Sequence, residues 1–500
     1  MTEERERQLR RRWLVWRFVL QYGIGVVVLV FYVTVGLHFR FTPDDTYISM
    51  QVGRNVARGD GLSFNVGTPG NSVRGPLWIL LIAGGAKLDL DPYVVAKTLD
   101  LAFASLSVIA VLAFAFIMIR DRIYALVAAW IFSFDAWFLF SSGTGSGTSL
   151  AVLLVMLTIW YAYKKEYITS SFVLGLLTLV RPEGFILLAP ILLDAVFNAR
   201  GRTAVVKAIV GSLVVYCVIV GSWLLFSYVS FGALVPDTML AGTTLQLSVT
   251  GLWHSVLSCL EILGTTQLTL VIALIVGVVL TARRAAWRIF REEGFPLLWM
   301  LMLPALFMFM RVEVISSYLL MILPIIVVYG VWGVKQLEVA SIVTPQRGFA
   351  ILLVVAGLSL AQNQFVYQTQ ILPGMENSEL GVDECLKPIG YWLRSNSPEG
   401  STILSPDIGV IGYVSGRRMI DVSGVVSPEM KLAFASVGYD EGMMQKRYER
   451  VLHPDYIVDR SPTPERLSSE TIRPVMTRTF PRLTLLKSEM MYYTLYRVVK

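Results

Sequence analysis

Long apolar runs, separated by short charged turns, fill the chain up to about residue 366. The first, residues 13–37, is too long for a signal-peptide core and has no small-residue cleavage site, so it predicts a retained membrane helix. Further runs begin near Tyr93, Tyr124, Ser149, Ile168, Gly184, Ala204, Leu252, Pro296, Ser317 and Phe349, which predicts about eleven spans of roughly 20 residues each. The runs near Ile168 and Gly184 are short. Beyond Tyr367 the charged residues, Pro and Gly rise, and no later run could cross a bilayer. Residues 1–366 therefore read as an all-α polytopic membrane domain, and residues 367–500 as a small soluble α/β domain. In the latter, residues 384–395, 427–435 and 441–452 predict helices. Residues 401–404, 418–422 and 455–458 predict strands, and 483–499 a hairpin.

Charge gives this pattern a direction. Arg5, Arg7, Arg10, Arg11, Arg12 and Arg17 surround the start of the first run and predict a cytoplasmic N-terminus. Arg120 with Arg122, Lys164 with Lys165, Arg200 with Arg202, Arg283 with Arg284, and Lys335 with Arg347 mark further cytoplasmic turns. An odd number of spans then puts the C-terminal domain outside. With 55% apolar and 16% charged residues, the chain belongs among integral membrane proteins. Its net charge of +7 sits largely in these turns and reflects topology and anionic lipid, which gives no case for nucleic acid.

The first outer loop, residues 38–92, is the longest between spans. Thr42 predicts a helix cap, Pro43 a first helical position, and Asp44 and Asp45 the first turn. Ile48, Val52 and Val56 recur at helical spacing, and Gly59-Asp60-Gly61 should end the helix. Its apolar stripe, with Arg54 and Arg58 available to headgroups, predicts a helix lying along the membrane surface. Residues 76–86 are too short to cross and predict a dipping or interfacial helix.

Asp44 and Asp45 are the leading candidates for chemistry. Acids in a first turn also complement the helix dipole, so a purely structural reading stays open. Yet this loop also carries Arg54, Arg58 and Arg74. A carboxylate opposed by guanidinium groups suits transfer from a phospholipid-like donor: the acid deprotonates an acceptor hydroxyl while arginine neutralises the departing phosphate. Arg181-Pro182-Glu183-Gly184, at the outer end of a run, could hold two helices together or contact substrate. The segment ending Val235-Pro236-Asp237-Thr238 opens the second large outer loop. Arg311, Glu313 and Tyr318 stand at a later outer turn, where a lipid phosphate or an interfacial anchor would sit. Asp135 lies inside a span and suggests a buried structural role. The run Gly143-Thr144-Gly145-Ser146-Gly147 reads as a flexible outer turn, and Asp407 to Ser415 either contacts an acceptor or folds the outer domain.

The three histidines are isolated, no Cys/His spacing suggests a metal, and Cys385 is the only cysteine after residue 366. Two adjacent acids could hold a divalent cation, though nothing requires one. No Walker loop, dinucleotide fingerprint or serine elbow appears, so the energy for any synthesis must arrive in the donor.

Several of these motifs resemble those of the GT-C superfamily of membrane glycosyltransferases, in particular the actinobacterial terminal arabinofuranosyltransferases. They are Asp44-Asp45-Thr46-Tyr47-Ile48-Ser49, Arg54-Asn55, the Gly59 to Asn65 run, Leu179-Val180-Arg181-Pro182-Glu183-Gly184, the Gly232 to Thr238 segment, and Asp407 to Arg418 with Ile420-Asp421 and Gly424. The resemblance implies an inverting transferase of the bacterial plasma membrane. It would take a sugar, arabinofuranose being one candidate, from a polyprenyl-phosphate donor on the extracytoplasmic side. The acceptor would be a hydroxyl of a cell-envelope glycan, lipid or protein. It implies Asp44 or Asp45 as general base, and Arg181, Arg311 and Arg58 as contacts of the lipid phosphate. Gly147 stands where the pattern has Glu, and Asp237 where it has Asn, which leaves acceptor and sugar open. Two other classes remain: a non-enzymatic lipid-linked sugar transporter, which should show internal repeats, and a membrane scaffold with an outer sensory domain.

Overall fold

The computed structural model describes residues 41–68, 75–199, 201–232, 249–310, 314–434, 437–484 and 487–499, with positions 23, 26–28, 30, 31, 33 and 234 besides. The expected first span, and Arg74, Asp237, Arg311 and Glu313, lie outside these, apart from scattered positions of that span.

Helices occupy the chain up to Asn396. They are α1 (Asp44–Arg58), α2 (Pro76–Ala86), α3 (Pro92–Ile119), α4 (Arg122–Ser133), α5 (Ala136–Ser141), α6 (Thr148–Tyr163), α7 (Tyr167–Val180) and α8 (Leu188–Asn198). Then come α9 (Arg202–Phe231), α10 (Val249–Arg288), α11 (Gly294–Met310), α12 (Ser316–Leu319), α13 (Leu323–Val339) and α14 (Pro345–Val366). Among the described residues four helices are long and apolar enough to cross a membrane: Pro92–Ile119, Arg202–Phe231, Leu252–Trp287 and Pro345–Asn396. Five apolar helices are shorter, so the expectation of about eleven full spans is not established. The shortness has local causes. Asp135 does not sit in mid-helix: the chain breaks there, and its carboxylate caps α5 by accepting from Phe138 N at 2.9 Å. Gln267 of α10 donates to the same carboxylate.

The ends of the helices sort by charge. Lys335 pairs with Asp121 at 2.9 Å, Arg284 donates to Gln336 Oε1 at 3.1 Å, and Lys165 pairs with Asp194 at 2.9 Å. Thr148 begins α6 and Lys164 follows its end. Lys165 lies in the turn just before α7, which Tyr167 opens, and Arg181 follows its end. The lysines and Arg181 therefore stand at opposite ends of the same two helices.

No break marks residue 367. The helix containing α14 runs on through α15 (Leu372–Gly381) and α16 (Lys387–Asn396), with single π turns at Tyr367–Ile371 and Val382–Leu386. Beyond it lies a five-stranded sheet of β1 (Thr402–Ser405), β2 (Arg418–Asp421), β3 (Tyr456–Ser461), β4 (Ile472–Thr484) and β5 (Lys487–Val498), in the order β2-β1-β3-β5-β4. The first three are parallel and the last two antiparallel. β4 begins well before the expected hairpin because it is an edge strand, where Pro474 and an adjoining bulge cost no inner ladder bond. Helix α17 (Gly409–Ser415) joins β1 to β2. Its buried Val410 and Ile411 belong to one apolar core with the helices below, whereas Leu404, Ile420, Met430 and Phe434 form a second core under the other face of the sheet.

Candidate active site

α1 starts at Asp44, with Asp44 and Asp45 in its first turn and Arg58 in its last, the order that the helix dipole favours. Thr42 does not cap it: Pro43 holds that position, and the Thr42 hydroxyl reaches Tyr93 at 3.4 Å instead. Gly59, at φ 88°, closes the helix in the left-handed region. Asn55 donates to the Ser63 and Phe64 carbonyls at 2.8 and 2.9 Å, which folds the loop back along the helix.

The two acids of the pair face different surroundings. Asp44 turns toward the outer sheet, where Gly409 N donates to its Oδ2 at 2.9 Å and Val410 N to its Oδ1 at 2.7 Å. Asp45 is exposed and lines a cavity of about 740 Å³. The two candidates for the base thus differ in surroundings: both oxygens of Asp44 are engaged by backbone amides, whereas Asp45 opens onto the cavity. Arg54 turns to α17: its guanidinium stacks 3.7 Å from the Tyr413 ring centroid and donates to the Tyr413 carbonyl at 3.2 Å. Arg58 is exposed at the far end of α1 and is not among the cavity residues.

The cavity does gather Asp45, Arg181, Glu183 and Tyr318. Arg181 lies 3.7 Å from Glu183, 6.0 Å from the Tyr318 ring centroid, and donates to Thr148 Oγ1 at 2.8 Å. Its side chain is 20% exposed and that of Glu183 13%, so the pair is largely shielded yet still reachable from the cavity. Trp137, Phe185, Leu306 and Phe307 supply apolar surface in the same cavity, with Phe307 stacked 4.9 Å from the Tyr318 ring.

Lys97 and Asp100, absent from the candidates read from sequence, hold the site from below. Lys97 Nζ donates to the Phe41 carbonyl at 2.5 Å, just ahead of α1. Asp100 accepts from Gly145 N at 2.9 Å and Ser149 N at 3.3 Å. The turn over residues 143–147 is accordingly buried and tied down, not a flexible outer loop. Trp78 Nε1 donates to the Gly145 carbonyl at 3.1 Å, and a Cβ on Gly147 would lie 2.6 Å from the Trp78 ring. The sequence signal was two ionisable residues three apart inside an apolar run. The stretch after β1 docks and folds: Arg460 donates to both oxygens of Asp407 at 3.1 Å, and Tyr493 donates at 2.5 Å. Among the described residues no three His, Cys, Asp or Glu side chains converge as a metal site.

Burial, and after it the Asp407 charge, push the Asp44 carboxyl up from 3.8 to about 7, against the opposing Val410 and Gly409 amides, with Asp45 adding a smaller push. A carboxyl raised on folding binds its proton more tightly in the folded chain. Stability therefore falls as pH rises from 3.8 to about 7 and is level outside that window. The thermal midpoint of the detergent-solubilised protein should drop across this range, and Asp44→Asn should flatten the profile. Identical profiles in the two proteins would place the titration elsewhere.

A profile for a domain of unknown function, DUF8728, matches residues 373–496. A comparison with curated protein sequences finds no match. Among solved structures the chain is similar to ArnT from Cupriavidus metallidurans in the apo state, with TM-score 0.59 and 11% identity over 97% of this chain and 98% of that one. The same protein bound to undecaprenyl phosphate gives 0.54 and 13%, over 96% and 98%. The archaeal oligosaccharyltransferase AglB from Archaeoglobus fulgidus, in complex with an inhibitory peptide and a dolichol-phosphate, gives 0.56 and 13%, over 88% of this chain and 69% of that one. At these identities the likeness is one of fold.

Proposed function

We propose that this protein is a membrane glycosyltransferase that moves a sugar from a polyprenyl-phosphate donor to an acceptor hydroxyl, with inversion at the anomeric carbon. One observation carries the reading: a carboxylate, Asp45, and a guanidinium, Arg181, line the same cavity beside an apolar wall. The fold shared with proteins crystallised with undecaprenyl phosphate and dolichol-phosphate supports it. The cavity lies at the helix ends away from the basic turns, which by the charge rule is the extracytoplasmic side. On this reading residues 367–500 form the outer domain, and arabinofuranose on a cell-envelope acceptor is one candidate pairing.

Asp45 takes the proton of the acceptor hydroxyl as its oxygen bonds to the anomeric carbon. The bond from that carbon to the phosphate oxygen breaks, and its electron pair leaves with the polyprenyl phosphate. Arg181 neutralises the charge that develops there, held in place by Thr148 and Glu183. Tyr318 and the apolar wall flank the lipid end. Arg74, Asp237, Arg311 and Glu313 remain candidates for the rim on sequence grounds.

The test is transfer by the purified protein from polyprenyl-phosphate sugars. Arg181→Gln should raise the donor KM by about tenfold or more, because a charge-assisted contact to phosphate is lost. An unchanged donor KM would remove Arg181 from the phosphate site, and absence of any lipid-linked sugar transfer would sink the reading.

A further inference from the structure

A row of hydroxyl groups follows one wall of the cavity, along the turn between α5 and α6. Arg181 Nη2 meets Thr148 Oγ1 at 2.8 Å, the Thr148 and Ser146 oxygens are 2.9 Å apart, and those of Ser146 and Thr144 are 3.0 Å apart. All four residues line the cavity. Donor counting limits where the protons go. A guanidinium only donates, so Thr148 accepts from Arg181, and its own hydrogen is free for Ser146 or a bound molecule. The Ser141 carbonyl, 2.8 Å from Thr144 Oγ1, and Ser146 Oγ, at 3.0 Å, compete for the single Thr144 hydrogen. Where Ser146 accepts from Thr144 or Thr148, its own hydrogen points to a bound molecule, in a row headed by a cation. It is also the accessible member: Thr144 and Thr148 are 4% and 1% exposed, whereas Ser146 is half-buried.

The row is fixed in place beside the candidate base. Gly143, Gly145 and Gly147 take φ of 83°, 80° and 77°, a shape that side chains rarely adopt, and Asp100 grips the turn from α3. A Cβ on Gly145 would lie 3.3 Å from both Thr46 and Met50, so the turn sits directly on α1 next to Asp45.

We infer that Thr144, Ser146 and Thr148 form the subsite for the sugar of the donor, and that this subsite selects an uncharged, hydroxyl-rich sugar. This rests on the donor reading above. With the lipid phosphate at Arg181, the group bonded to it falls along the row. Among the described residues the charged side chains of the cavity are Asp45, Arg181 and Glu183. An anionic sugar on the row would meet Asp45, and Arg181, the cation among the described lining residues, is already shared by the phosphate and Glu183. A neutral sugar can accept from Ser146 and donate to Asp45.

The test is binding by the full-length protein in detergent of undecaprenyl phosphate, its neutral pentosyl and hexosyl esters, and its uronosyl ester. At least one neutral ester should bind several-fold more tightly than the bare carrier, and the uronosyl ester no more tightly than the carrier. Ser146→Ala should reduce that preference by roughly three- to tenfold, the loss of one hydrogen bond, with carrier binding unchanged. Ser146→Thr, which keeps the hydroxyl, should retain it. An unchanged preference in Ser146→Ala, loss of carrier binding along with it, tight uronosyl binding, or no preference for any neutral ester would overturn the subsite. Failure of the unaltered protein to bind bare undecaprenyl phosphate would sink the donor reading itself.

Discussion

Asp45→Asn should lower sugar transfer by about 10²- to 10⁴-fold, the range for loss of a general base, while the protein stays folded and still binds its lipid carrier. Asparagine keeps the size of the side chain but cannot take a proton at neutral pH. Asp45 is exposed and lines the cavity, and its helix is also held by Asp44 and Arg54, so the proposed base can be removed while those anchors stay. Asp44→Asn should behave differently. Its two oxygens accept from two amides, and an asparagine offers one oxygen and one NH₂ to the same pair. The expected result is a lower thermal midpoint and a partial fall in rate, the two moving together across a set of Asp44 variants. Transfer rate, carrier binding and thermal unfolding measured on both proteins separate the roles. Full activity in Asp45→Asn, or complete loss in Asp44→Asn with unaltered stability, would exchange the two assignments.

Gly409→Ala should be the most damaging single methyl that can be added to the outer sheet. A Cβ there would fall 1.9 Å from the Asp44 carbonyl oxygen and 2.9 Å from its carboxyl carbon. The nearest obstacle is backbone, so no rotamer change relieves it, and α17 must move away from the start of α1. Overpacking of this kind costs about 1–3 kcal/mol. Here it also disrupts the two hydrogen bonds that the Gly409 and Val410 amides donate to Asp44 and shifts the turn of helix that carries Asp45. Both thermal stability and transfer should fall, with transfer falling further than in Asp44→Asn. Gly400→Ala is the control, since a Cβ there meets nothing within 4 Å. Equal behaviour of the two alanine variants would mean that the outer sheet does not position α1.

The contacts between α1 and the outer sheet give that sheet a mechanical role. Asn65 donates to the Met419 carbonyl at 2.8 Å and accepts from Met419 N at 2.9 Å, so the first loop continues the edge of β2 by a side chain. Tyr413 carries Arg54 on its ring, packs edge-on against Tyr47 and reaches Asp91 at 3.3 Å. Residues some 350 positions apart are joined here, and the candidate base is the neighbour of the residue at the joint.

Much of the plan was legible in the order of residues. Apolar runs must be helical in a bilayer, so helices begin close to the expected positions, from Pro92–Ile119 to Pro345–Val366. The start of α1 near Asp44 and its stop at Gly59 were readable, though the Thr42 cap was not borne out, and so were most strands of the C-terminal sheet. Arg181, Glu183 and Tyr318 were visible as polar residues at the ends of apolar runs. Their meeting with Asp45 was not, because it depends on how distant helices pack. Sequence also could not tell Asp44 from Asp45. Adjacent residues on a helix point about 100° apart, and what each direction meets is set by elements far along the chain, here Gly409 for one acid and the cavity for the other. Apolar length and charge thus determined a helical membrane protein with a C-terminal sheet. Only tertiary packing decided which carboxylate accepts from the Gly409 and Val410 amides and which one lines the cavity.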